Sequence, residues 1–509
     1  MEFVITLNRG SSLPLYRQIC EELRRLILSG YLLPGQRIPS SRALAKSCKV
    51  SRATVNLSYE ELLSEGYLKS SHGAGTFVND QIPKTFIQST DPTHQLTQAK
   101  QIKLSKYGTH IAKSKPFRPI EQHLPINFLY RQPAFDQLSL QQWGRLLVHH
   151  CQFNLKLLDY GNDLLGYREL RKAISLHLTQ SRGLRCEADQ VLIVNGSQQA
   201  LDLVTRILCD SGDWVGMENP GYLNAHHTFL AQGSRVLPVP VDESGIVIEH
   251  LLGFTNAKLR FVYVTPSHQF PSGRVMSLSR RLELLSWAQS SGAMIIEDDY
   301  DSAYSYGNQS IPPLQELDKS GAVIYIGTFS KELFPALQIG YLVLPKHLVN
   351  VFANAKCLTD LQSPLLEQQV LTDFINEGHL ERHIKRIRNL YYQRRQTLVQ
   401  ALSMYLGECA TILDENAGMH LMVHLQTSLN DEEIIHRASQ VGVGLISAAQ
   451  NYSNASYEGK FIIGYTDLTV QQIQEGIYKL AKVLKEPTTY TDIFRYSVDL
   501  QESACSCKK

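Results

Sequence analysis

Long apolar runs are missing from this chain of 509 residues. No stretch of about 18 consecutive apolar residues occurs, which excludes a membrane-spanning helix of the usual length. The opening residues, Met1–Thr6, lack the basic segment followed by an apolar stretch that marks a secretory signal peptide. We therefore expect a cytoplasmic protein that has no membrane partner.

Cysteine and net charge are also low. The nine cysteines are an odd number, and Cys505 and Cys507 have no metal-ligand partners nearby in the sequence. Reduced thiols are expected, and no metal site is predicted. A net charge of +2 excludes a polycation, so any contact with nucleic acid requires a local basic patch. The length exceeds what one core supports, so we expect two or three domains.

The first eighty residues show three helical patterns followed by a short hairpin. Pro14 opens the first pattern, Ser51 is placed to cap the third, and a glycine-rich tip, Ser70–Gly75, joins two short strands. This order predicts a helix-turn-helix with a β wing, whose third helix can enter a DNA major groove. The alternative is a three-helix packing module with a solvated basic face. The residues predicted to meet phosphates and base edges are Arg42, Ser51, Arg52, Thr54, His72 and Gly75.

Periodicity disappears between residues 80 and 122. The segment carries seven lysines and arginines, and no acidic residue occurs between Thr93 and Ile120. We interpret it as a flexible basic linker. It either lies along DNA phosphates or is a solvated connector.

Apolar strands alternate with amphipathic helices from residue 123 to 487, which predicts a mostly parallel sheet covered by helices on both faces. Ligands bind at the carboxyl ends of such strands. The strand Met294–Ile296 runs into Asp298, and the strand Val323–Ile326 runs towards Lys331. A strand-end lysine and acid suit pyridoxal 5′-phosphate (PLP): the lysine forms a Schiff base, and the carboxylate keeps the pyridine nitrogen protonated.

A phosphate site is predicted where the strand Val191–Val194 turns into a helix. Gly196, Ser197 and Gln198 follow this strand, and their backbone N–H groups would surround an anion at the helix N-terminus. The hydroxyls of Thr328 and Ser330 would add donors. Each residue also has a plainer interpretation, since tight turns need glycine, a strand-end aspartate can cap a turn, and a single lysine is usually on the surface.

Motifs along almost the whole chain resemble the MocR subfamily of GntR-type transcriptional regulators. In that family a winged helix-turn-helix is fused to a fold-type-I aminotransferase-like PLP domain. The motifs that carry the resemblance are Pro39–Arg42, Val50–Val55, Glu65–Tyr67, Gly73–Val78, Gly196–Asp202, Pro220–Tyr222, Thr265–Pro271, Glu297–Ser302 and Gly327–Lys331.

The resemblance implies site residues and an assembly. PLP is expected on Lys331, with Asp298 at the pyridine nitrogen and Tyr300 near the phenolic oxygen of the ring. Tyr222 is expected at the cofactor or effector pocket, and Tyr160 is expected to reach the phosphate of a neighbouring subunit. The implied assembly is a head-to-tail homodimer.

The resemblance also implies a multidomain architecture. We expect a winged helix-turn-helix over residues 1–79, mainly α with a β wing, and then the linker over residues 80–122. An α/β PLP-dependent transferase-like domain with a smaller C-terminal α+β subdomain should span residues 123–487. A polar tail, residues 488–509, completes the chain.

Three positions depart from the related patterns: Gln338 departs from the family and from catalytic aminotransferases, and Phe270 and Ile462 depart from catalytic class I aminotransferases. Gln338 stands where an arginine usually pairs with the PLP phosphate, so weaker phosphate binding is expected. Phe270 replaces an asparagine that bonds the ring oxygen. Ile462 replaces the arginine that holds a substrate carboxylate, with Lys460 the nearest cation. These losses weaken the grip on a substrate rather than the Schiff base.

The predicted function is therefore a DNA-binding transcription regulator that senses PLP, an amine or an amino acid without net catalysis. Two alternatives stay open. One is a working PLP-dependent aminotransferase with an accessory DNA-binding head. The other is a degenerate module that no longer holds PLP and only bridges DNA as a dimer.

Overall fold

The structure is a computed structural model that describes residues 5–71, 73–82, 102–113, 124–130, 133–153, 159, 161, 163–253, 259–306, 311–413, 418–453 and 458–485. The chain divides into two compact units, residues 1–103 and 104–509. Within the described ranges, no helix is both long and apolar enough to cross a membrane. The seven cysteines in these ranges are all free thiols.

The first unit is a winged helix-turn-helix, as predicted. Its elements are α1 (Leu15–Leu28), α2 (Ser41–Cys48), α3 (Arg52–Ser64), β1 (Leu68–Ser71) and β2 (Gly75–Val78). Buried side chains of α1 and α3, including Ile19, Leu23 and Val55, form its core. Lys49 ends α2 in the left-handed conformation (φ +52°), which makes the tight turn into α3. The strands β1 and β2 pair antiparallel as the wing.

The second unit alternates helices and strands. Its helices are α4 (Lys106–Lys113), α5 (Leu140–Phe153), α6 (Arg168–Arg182), α7 (Gly196–Leu208), α8 (Leu223–Ala231), α9 (Glu249–Leu252), α10 (Leu278–Ser291), α11 (Leu314–Leu317), α12 (Val349–Asp360), α13 (Leu365–Asn376), α14 (His379–Tyr405), α15 (Asp431–Gln440) and α16 (Val470–Lys485). Its strands are β3 (Ile126–Asn127), β4 (Val191–Val194), β5 (Trp214–Asn219), β6 (Arg235–Asp242), β7 (Gly245–Ile246), β8 (Leu259–Val264), β9 (Met294–Asp299), β10 (Val323–Thr328), β11 (Gly340–Val343), β12 (Ala410–Ile412), β13 (His420–Leu425), β14 (Val443–Gly444), β15 (Ile446–Ser447) and β16 (Lys460–Gly464).

The main sheet has eight strands in the order β4-β11-β10-β9-β8-β5-β6-β7. The strands β10, β9, β8, β5 and β6 are mutually parallel. The strand β11 is antiparallel to both β10 and β4, so β4 runs in the same direction as β10. All these parallel strands therefore present their carboxyl ends at one edge of the sheet.

Helices cover both faces of this sheet. In β4, Val191 and Ile193 enter one apolar core, and Leu192 and Val194 enter another. Alternate strand residues point to opposite faces, so a continuous apolar run such as Val191–Val194 is buried on both sides. This arrangement confirms the predicted α/β architecture.

A smaller α+β subdomain follows α14. Its antiparallel sheet has the order β12-β13-β16-β15, and it packs with α14, α15 and α16 around one apolar core. In the segment predicted to be a flexible linker, residues Lys106–Lys113 form the helix α4. This helix packs against α8 of the second unit, so part of the linker is ordered on that unit.

Candidate functional site

The DNA-binding candidates lie at the N-terminal ends of α2 and α3. Arg42 and Arg52 are exposed, and Arg52 Nε donates to Ser41 Oγ at 3.3 Å. Ser51 caps α3, because its Oγ accepts the Thr54 N–H at 3.1 Å and lies 2.8 Å from Thr54 Oγ1. Two guanidinium groups beside a helix N-terminus make an electropositive end suited to DNA phosphates.

One of the DNA-binding residues predicted in the wing, Gly75, is described by the structure. Next to it lies Arg37, a possible donor to DNA that the sequence did not indicate. His72 lies outside the described residues, and Gly75 opens β2 with φ +114°. A Cβ at Gly75 would approach Arg37 Nε to 3.0 Å, so glycine leaves room for the exposed Arg37 side chain. Asn56 is exposed one turn after Arg52 on α3. It is a further candidate for DNA contact that was not predicted from the sequence. Its i+4 spacing could have revealed it, whereas no local pattern marks Arg37.

Asp298 and Lys331 lie at the ends of adjacent parallel strands. The strands β9 and β10 pair with Asp298 opposite Ile326, so both strand ends occupy the same edge of the sheet. Asp298 is the last residue but one of β9, and Lys331 follows the end of β10 by three residues. The structure therefore brings the predicted lysine and acid together.

The Asp298 carboxylate is buried and only half satisfied. Its Oδ2 accepts the Tyr263 hydroxyl at 2.7 Å, whereas Oδ1 has no partner among the described residues. Burial raises the pKa of Asp298 to about 7, opposed by the Tyr263 hydrogen bond and reinforced by Asp299. An unpaired buried acceptor is costly, and a pyridine N–H is a donor that would satisfy it. The residues at this position fit PLP.

The neighbouring aspartate has a different environment. Asp299 Oδ2 accepts from Arg182 Nε at 3.1 Å, from the Tyr325 hydroxyl at 2.5 Å and from the Ser302 hydroxyl at 2.8 Å. Adjacent residues of a strand face opposite sides of the sheet, so only one of the two aspartates can meet a ligand on a given side. Asp299 Oδ1 also has no partner among the described residues, but Arg182 pairs with the charge of Asp299. Asp299 therefore belongs to a charge-paired structural network, and Asp298 is the candidate for the ligand.

An open cleft of about 700 Å³ lies at the N-terminus of α7. Gly196 begins this 13-residue helix with φ +74°, which a residue with a Cβ rarely adopts. The predicted cofactor residues that line the cleft are Gly196, Ser197, Gln198, Tyr222 and Ser330. Helix N–H groups with serine hydroxyls beside them are the donors that bind phosphate.

Four of the predicted cofactor residues that the structure describes are not part of the lining of this cleft: Asp298, Tyr300, Thr328 and Lys331. Thr328 is buried, and its Oγ1 accepts the Ser330 N–H at 3.2 Å, so this hydroxyl shapes the turn before Lys331. Tyr160 lies outside the described residues. Their roles towards a cofactor stay predictions.

Gln338 stands on the cleft wall beside the phosphate turn. It is exposed, in the left-handed conformation (φ +50°), and its Nε2 donates to the Pro335 carbonyl at 2.8 Å. A Cβ on Gly196 would lie 3.1 Å from Gln338 Oε1, so the amide reaches the turn without bringing a charge. The described lining of the cleft contains no arginine or lysine. Among the described lining residues, a phosphate there would meet neutral donors and the helix end.

Tyr300 and Tyr222 stand on either side of Phe270. The Phe270 ring packs edge-on against Tyr222 at 5.8 Å and against Tyr300 at 6.1 Å between ring centroids. Burial raises the pKa of Tyr300, so its phenol stays protonated. The Phe270 side chain offers no hydrogen bond, so an aromatic surface replaces the amide expected at this position in catalytic class I aminotransferases.

Buried polar side chains lie within hydrogen-bond distance of one another beside Tyr300. Its hydroxyl lies 3.0 Å from His268 Nδ1, and that nitrogen lies 2.7 Å from Asp301 Oδ2. His420 Nε2 lies 3.1 Å from the Pro271 carbonyl, an acceptor, so Nε2 carries the proton and Nδ1 is a buried acceptor without a described partner. Burial lowers the pKa of His420 to about 3, which keeps its ring neutral.

The linker helix α4 contributes two cleft residues that the sequence did not indicate. Tyr107 and Ile111 line the same cleft as Gly196 and Gln198. They are a single i, i+4 pair on a helix of eight residues, which is too short a pattern to predict from sequence. The segment that leads to the DNA-binding unit therefore forms part of the cleft wall.

Comparison with known proteins identifies the family. Residues 15–78 match the family described as bacterial regulatory proteins, gntR family. Over nearly the whole chain, the probable rhizopine catabolism regulatory protein MocR of Rhizobium meliloti is 35% identical across 477 residues, which are 94% of this chain and 95% of that protein. The chain belongs to the MocR-type GntR regulators. This membership confirms the resemblance drawn from the motifs.

Both parts of this MocR-type chain have further relatives. The pyridoxine biosynthesis transcriptional regulator PdxR of Corynebacterium glutamicum is 31% identical over 78% of this chain and 81% of its own length. The crystal structure of LysN, an α-aminoadipate aminotransferase of Thermus thermophilus complexed with N-(5′-phosphopyridoxyl)-L-leucine, aligns with a TM-score of 0.68 and 28% identity. It covers 75% of this MocR-type chain and 97% of LysN. The second unit therefore has an aminotransferase fold.

The raised pKa of Asp298 predicts a pH-dependent stability in protein purified without PLP. An aspartate in the unfolded chain titrates at about 3.9, and folded Asp298 titrates at about 7. Its stabilising contribution is full below about pH 4 and is lost as the pH rises to about 7. Asp298→Asn should flatten the fall in unfolding free energy between these values by about 1.4 kcal/mol per pH unit, measured by urea denaturation of the full chain. Asp210→Asn, at an exposed carboxyl, is the control, and identical slopes for wild type and Asp298→Asn would contradict the prediction.

The neutral side chain at Gln338 predicts weak phosphate binding. Gln338→Arg should tighten binding of PLP by about tenfold or more, because a charge-assisted hydrogen bond would replace neutral donors. Equilibrium dialysis of the full-length protein against PLP measures the change. Gln338→Met, which removes the amide without adding charge, serves as the control and should not tighten binding. Equal affinity in wild type and Gln338→Arg would show that the phosphate lies elsewhere.

Proposed function

We propose that this chain is a DNA-binding transcription regulator whose aminotransferase-like unit binds PLP on Lys331 and senses PLP or an amine or amino-acid effector. The observation that carries the proposal is the unsatisfied, buried Oδ1 of Asp298, at the same sheet edge as Lys331 and the cleft at α7. That edge offers an acid for a pyridine nitrogen, an amine for an aldehyde and helix N–H groups for a phosphate.

Each part of a bound PLP molecule has a proposed partner in the site. Asp298 would accept the pyridine N–H, and the N-terminus of α7 with Ser197 and Ser330 would bind the phosphate. When bound, PLP supplies an aldehyde that condenses reversibly with primary amines. The protonated Tyr300 phenol offers a hydrogen-bond donor.

A sensing role fits these residues better than turnover. A transaminase must hold a substrate carboxylate in one orientation through two half-reactions. Ile462 is apolar and 1% exposed, and Gln338 offers no charge to a phosphate. The alternative, an active aminotransferase with an accessory DNA-binding head, is favoured only by the shared fold and by Lys331. Steady conversion of an amino donor and a 2-oxo acid by purified protein would establish it.

Regulation requires that a ligand bind two states of the protein with different affinities. The linker helix α4 is the element we propose to couple them, because Tyr107 and Ile111 stand in the cleft wall. A ligand in the cleft would change the packing of this helix. The chain leads directly from the helix towards the DNA-binding unit, so the effect would reach that unit through the linker. A head-to-tail homodimer is part of the proposal.

Loss of the lysine should remove the response to PLP. An operator can first be selected from random duplex DNA with the wild-type protein. Wild type should then show the visible absorption of protein-bound PLP and a change in operator affinity of about fivefold or more when PLP is added. Lys331→Ala should lose both effects, measured by absorption spectroscopy and fluorescence anisotropy.

The control for this experiment is Lys346→Ala. Lys346 is an exposed lysine paired with Glu187 at 2.6 Å, and its loss should leave both effects unchanged. Operator affinity that is identical with and without PLP in the wild-type protein would refute the regulatory proposal, even if the absorption band appears.

Arg52 should make a direct contact with DNA. Arg52→Ala should weaken operator binding by about tenfold, since a base or phosphate contact contributes about 1–3 kcal/mol. The salt dependence of binding separates the two contacts, because loss of a phosphate contact lowers the slope by about one. Arg25→Ala provides the comparison, as Arg25 lies on α1 and pairs with Glu22. If both substitutions weaken binding equally, α3 does not face the DNA.

A further inference from the structure

Asp301, His268 and Tyr300 form a hydrogen-bonded series next to the end of β9. The Nδ1 atom of His268 lies 2.7 Å from Asp301 Oδ2 and 3.0 Å from the hydroxyl oxygen of Tyr300. The side chains of His268 and Asp301 are only 2% and 1% exposed, whereas Tyr300 is partly buried. The aspartate and histidine therefore lie in the interior, and the tyrosine is the most exposed member of the series.

The acceptor on Asp301 determines where the hydrogen of the His268 ring lies. An ionised carboxylate can only accept hydrogen bonds, whereas an imidazole nitrogen either carries a hydrogen or accepts one. The shorter of the two contacts, from His268 Nδ1 to Asp301 Oδ2, therefore requires the hydrogen on Nδ1. The aspartate in this way fixes the tautomer of the histidine.

A hydrogen on His268 Nδ1 decides what the Tyr300 hydroxyl can do. A nitrogen that already carries a hydrogen cannot accept another one, so the hydroxyl oxygen of Tyr300 acts as an acceptor at this 3.0 Å contact. Within the residues that the structure describes, this contact is the only one at hydrogen-bond distance from that hydroxyl. The hydrogen of the phenol is left for a further acceptor, such as a ligand.

The backbone at Gly418 and the ring of His420 limit the movement of the His268 ring. Gly418 has φ +84°, and a Cβ at this position would overlap the imidazole of His268. The Gly418 carbonyl accepts the hydroxyls of Tyr306 at 3.0 Å and Tyr465 at 2.5 Å, which hold the backbone there. The ring of His420 lies 5.1 Å from that of His268 between centroids. The imidazole of His268 is therefore packed in one orientation.

We propose that His268 and Asp301 are positioning residues that keep the Tyr300 hydroxyl as a hydrogen-bond donor to the phenolic oxygen of bound PLP. The inference rests on the proposed PLP-binding function and deepens it, because it gives two buried residues a role that they exert through Tyr300. A donor at the phenolic oxygen stabilises negative charge there. It thereby lowers the proton affinity of the Schiff-base nitrogen that shares its proton with this oxygen.

The visible absorption of protein-bound PLP, followed against pH in the full-length protein, measures this effect. Tyr300→Phe removes the donor and should raise the pH midpoint of the absorption change by about one unit. His268→Phe should raise it by about half a unit, the size expected when one neutral hydrogen bond that orients and strengthens a donor is lost. In protein that already carries Tyr300→Phe, His268→Phe should cause no further shift, because His268 acts through the tyrosine.

Two further substitutions separate positioning from packing. His268→Asn retains an N–H group close to the position of Nδ1 and should keep the wild-type midpoint. His420→Phe makes the same change of side chain in the neighbouring buried histidine, whose Nε2 bonds the Pro271 carbonyl rather than Tyr300, and should also leave the midpoint unchanged. An unchanged midpoint in His268→Phe, or equal shifts with and without Tyr300→Phe, would overturn the inference and leave PLP binding intact. A protein that takes up no PLP would overturn both the inference and the proposed function.

The tautomer of His268 in the wild-type protein provides a measurement that needs neither PLP nor a variant that leaves Asp301 unpaired, which can impair folding. Full-length protein labelled with ¹⁵N-histidine can be studied by nuclear magnetic resonance at neutral pH, and the signal of His268 is the one that disappears in His268→Asn. A hydrogen on Nδ1 is expected. A hydrogen on Nε2 alone would overturn the inference, because Nδ1 would then accept the hydrogen of the Tyr300 hydroxyl.

Discussion

The buried carboxylate of Asp298 is the constraint on which the large unit depends. It lies at the end of β9, and one oxygen is satisfied by the Tyr263 hydroxyl while the other has no described partner. Such a group is costly unless a donor or a positive charge meets it. The parallel order of β10, β9 and β8 supplies the setting, because it brings Lys331, Asp298 and Tyr263 to one edge of the sheet. A buried carboxylate with one unpaired oxygen can accept a hydrogen bond from a protonated ring nitrogen.

Departures from the aminotransferase pattern surround this constraint without removing it. Gln338 weakens the phosphate end, Phe270 replaces a polar contact with an aromatic one, and Ile462 closes the carboxylate position with an apolar side chain. Each change affects how tightly or selectively a molecule is held rather than the pairing of lysine with acid. This combination suits a protein that must release its ligand to report a change in concentration. The helix α4 extends the argument to regulation, because part of the linker stands in the wall of the same cleft.

Regular elements explain what could be predicted from the sequence. Apolar runs that stop at polar residues predict where strands end, near Asp298, Ser330 and Lys331, and where the chain turns at Gly196. Helical spacing and caps predict the winged helix-turn-helix. Residues set by lateral packing could not be predicted in this way. Tyr263 meets Asp298 only because β8 lies beside β9, and Arg37 reaches the wing only through its pairing with Phe77. Thr328 was predicted to donate to a phosphate; its hydroxyl oxygen accepts a backbone N–H of the same turn, and its role towards a phosphate stays a prediction.

The protonation state of the cofactor nitrogen tests the central pairing most directly. Full-length protein loaded with PLP that carries ¹⁵N in the pyridine ring can be studied by nuclear magnetic resonance at neutral pH. A protonated nitrogen is expected in the wild-type protein, with loss of that proton in Asp298→Asn, because the carboxylate stabilises the pyridinium. An unprotonated nitrogen in the wild type, or a nitrogen that is insensitive to Asp298→Asn, would contradict the pairing on which the proposed function rests.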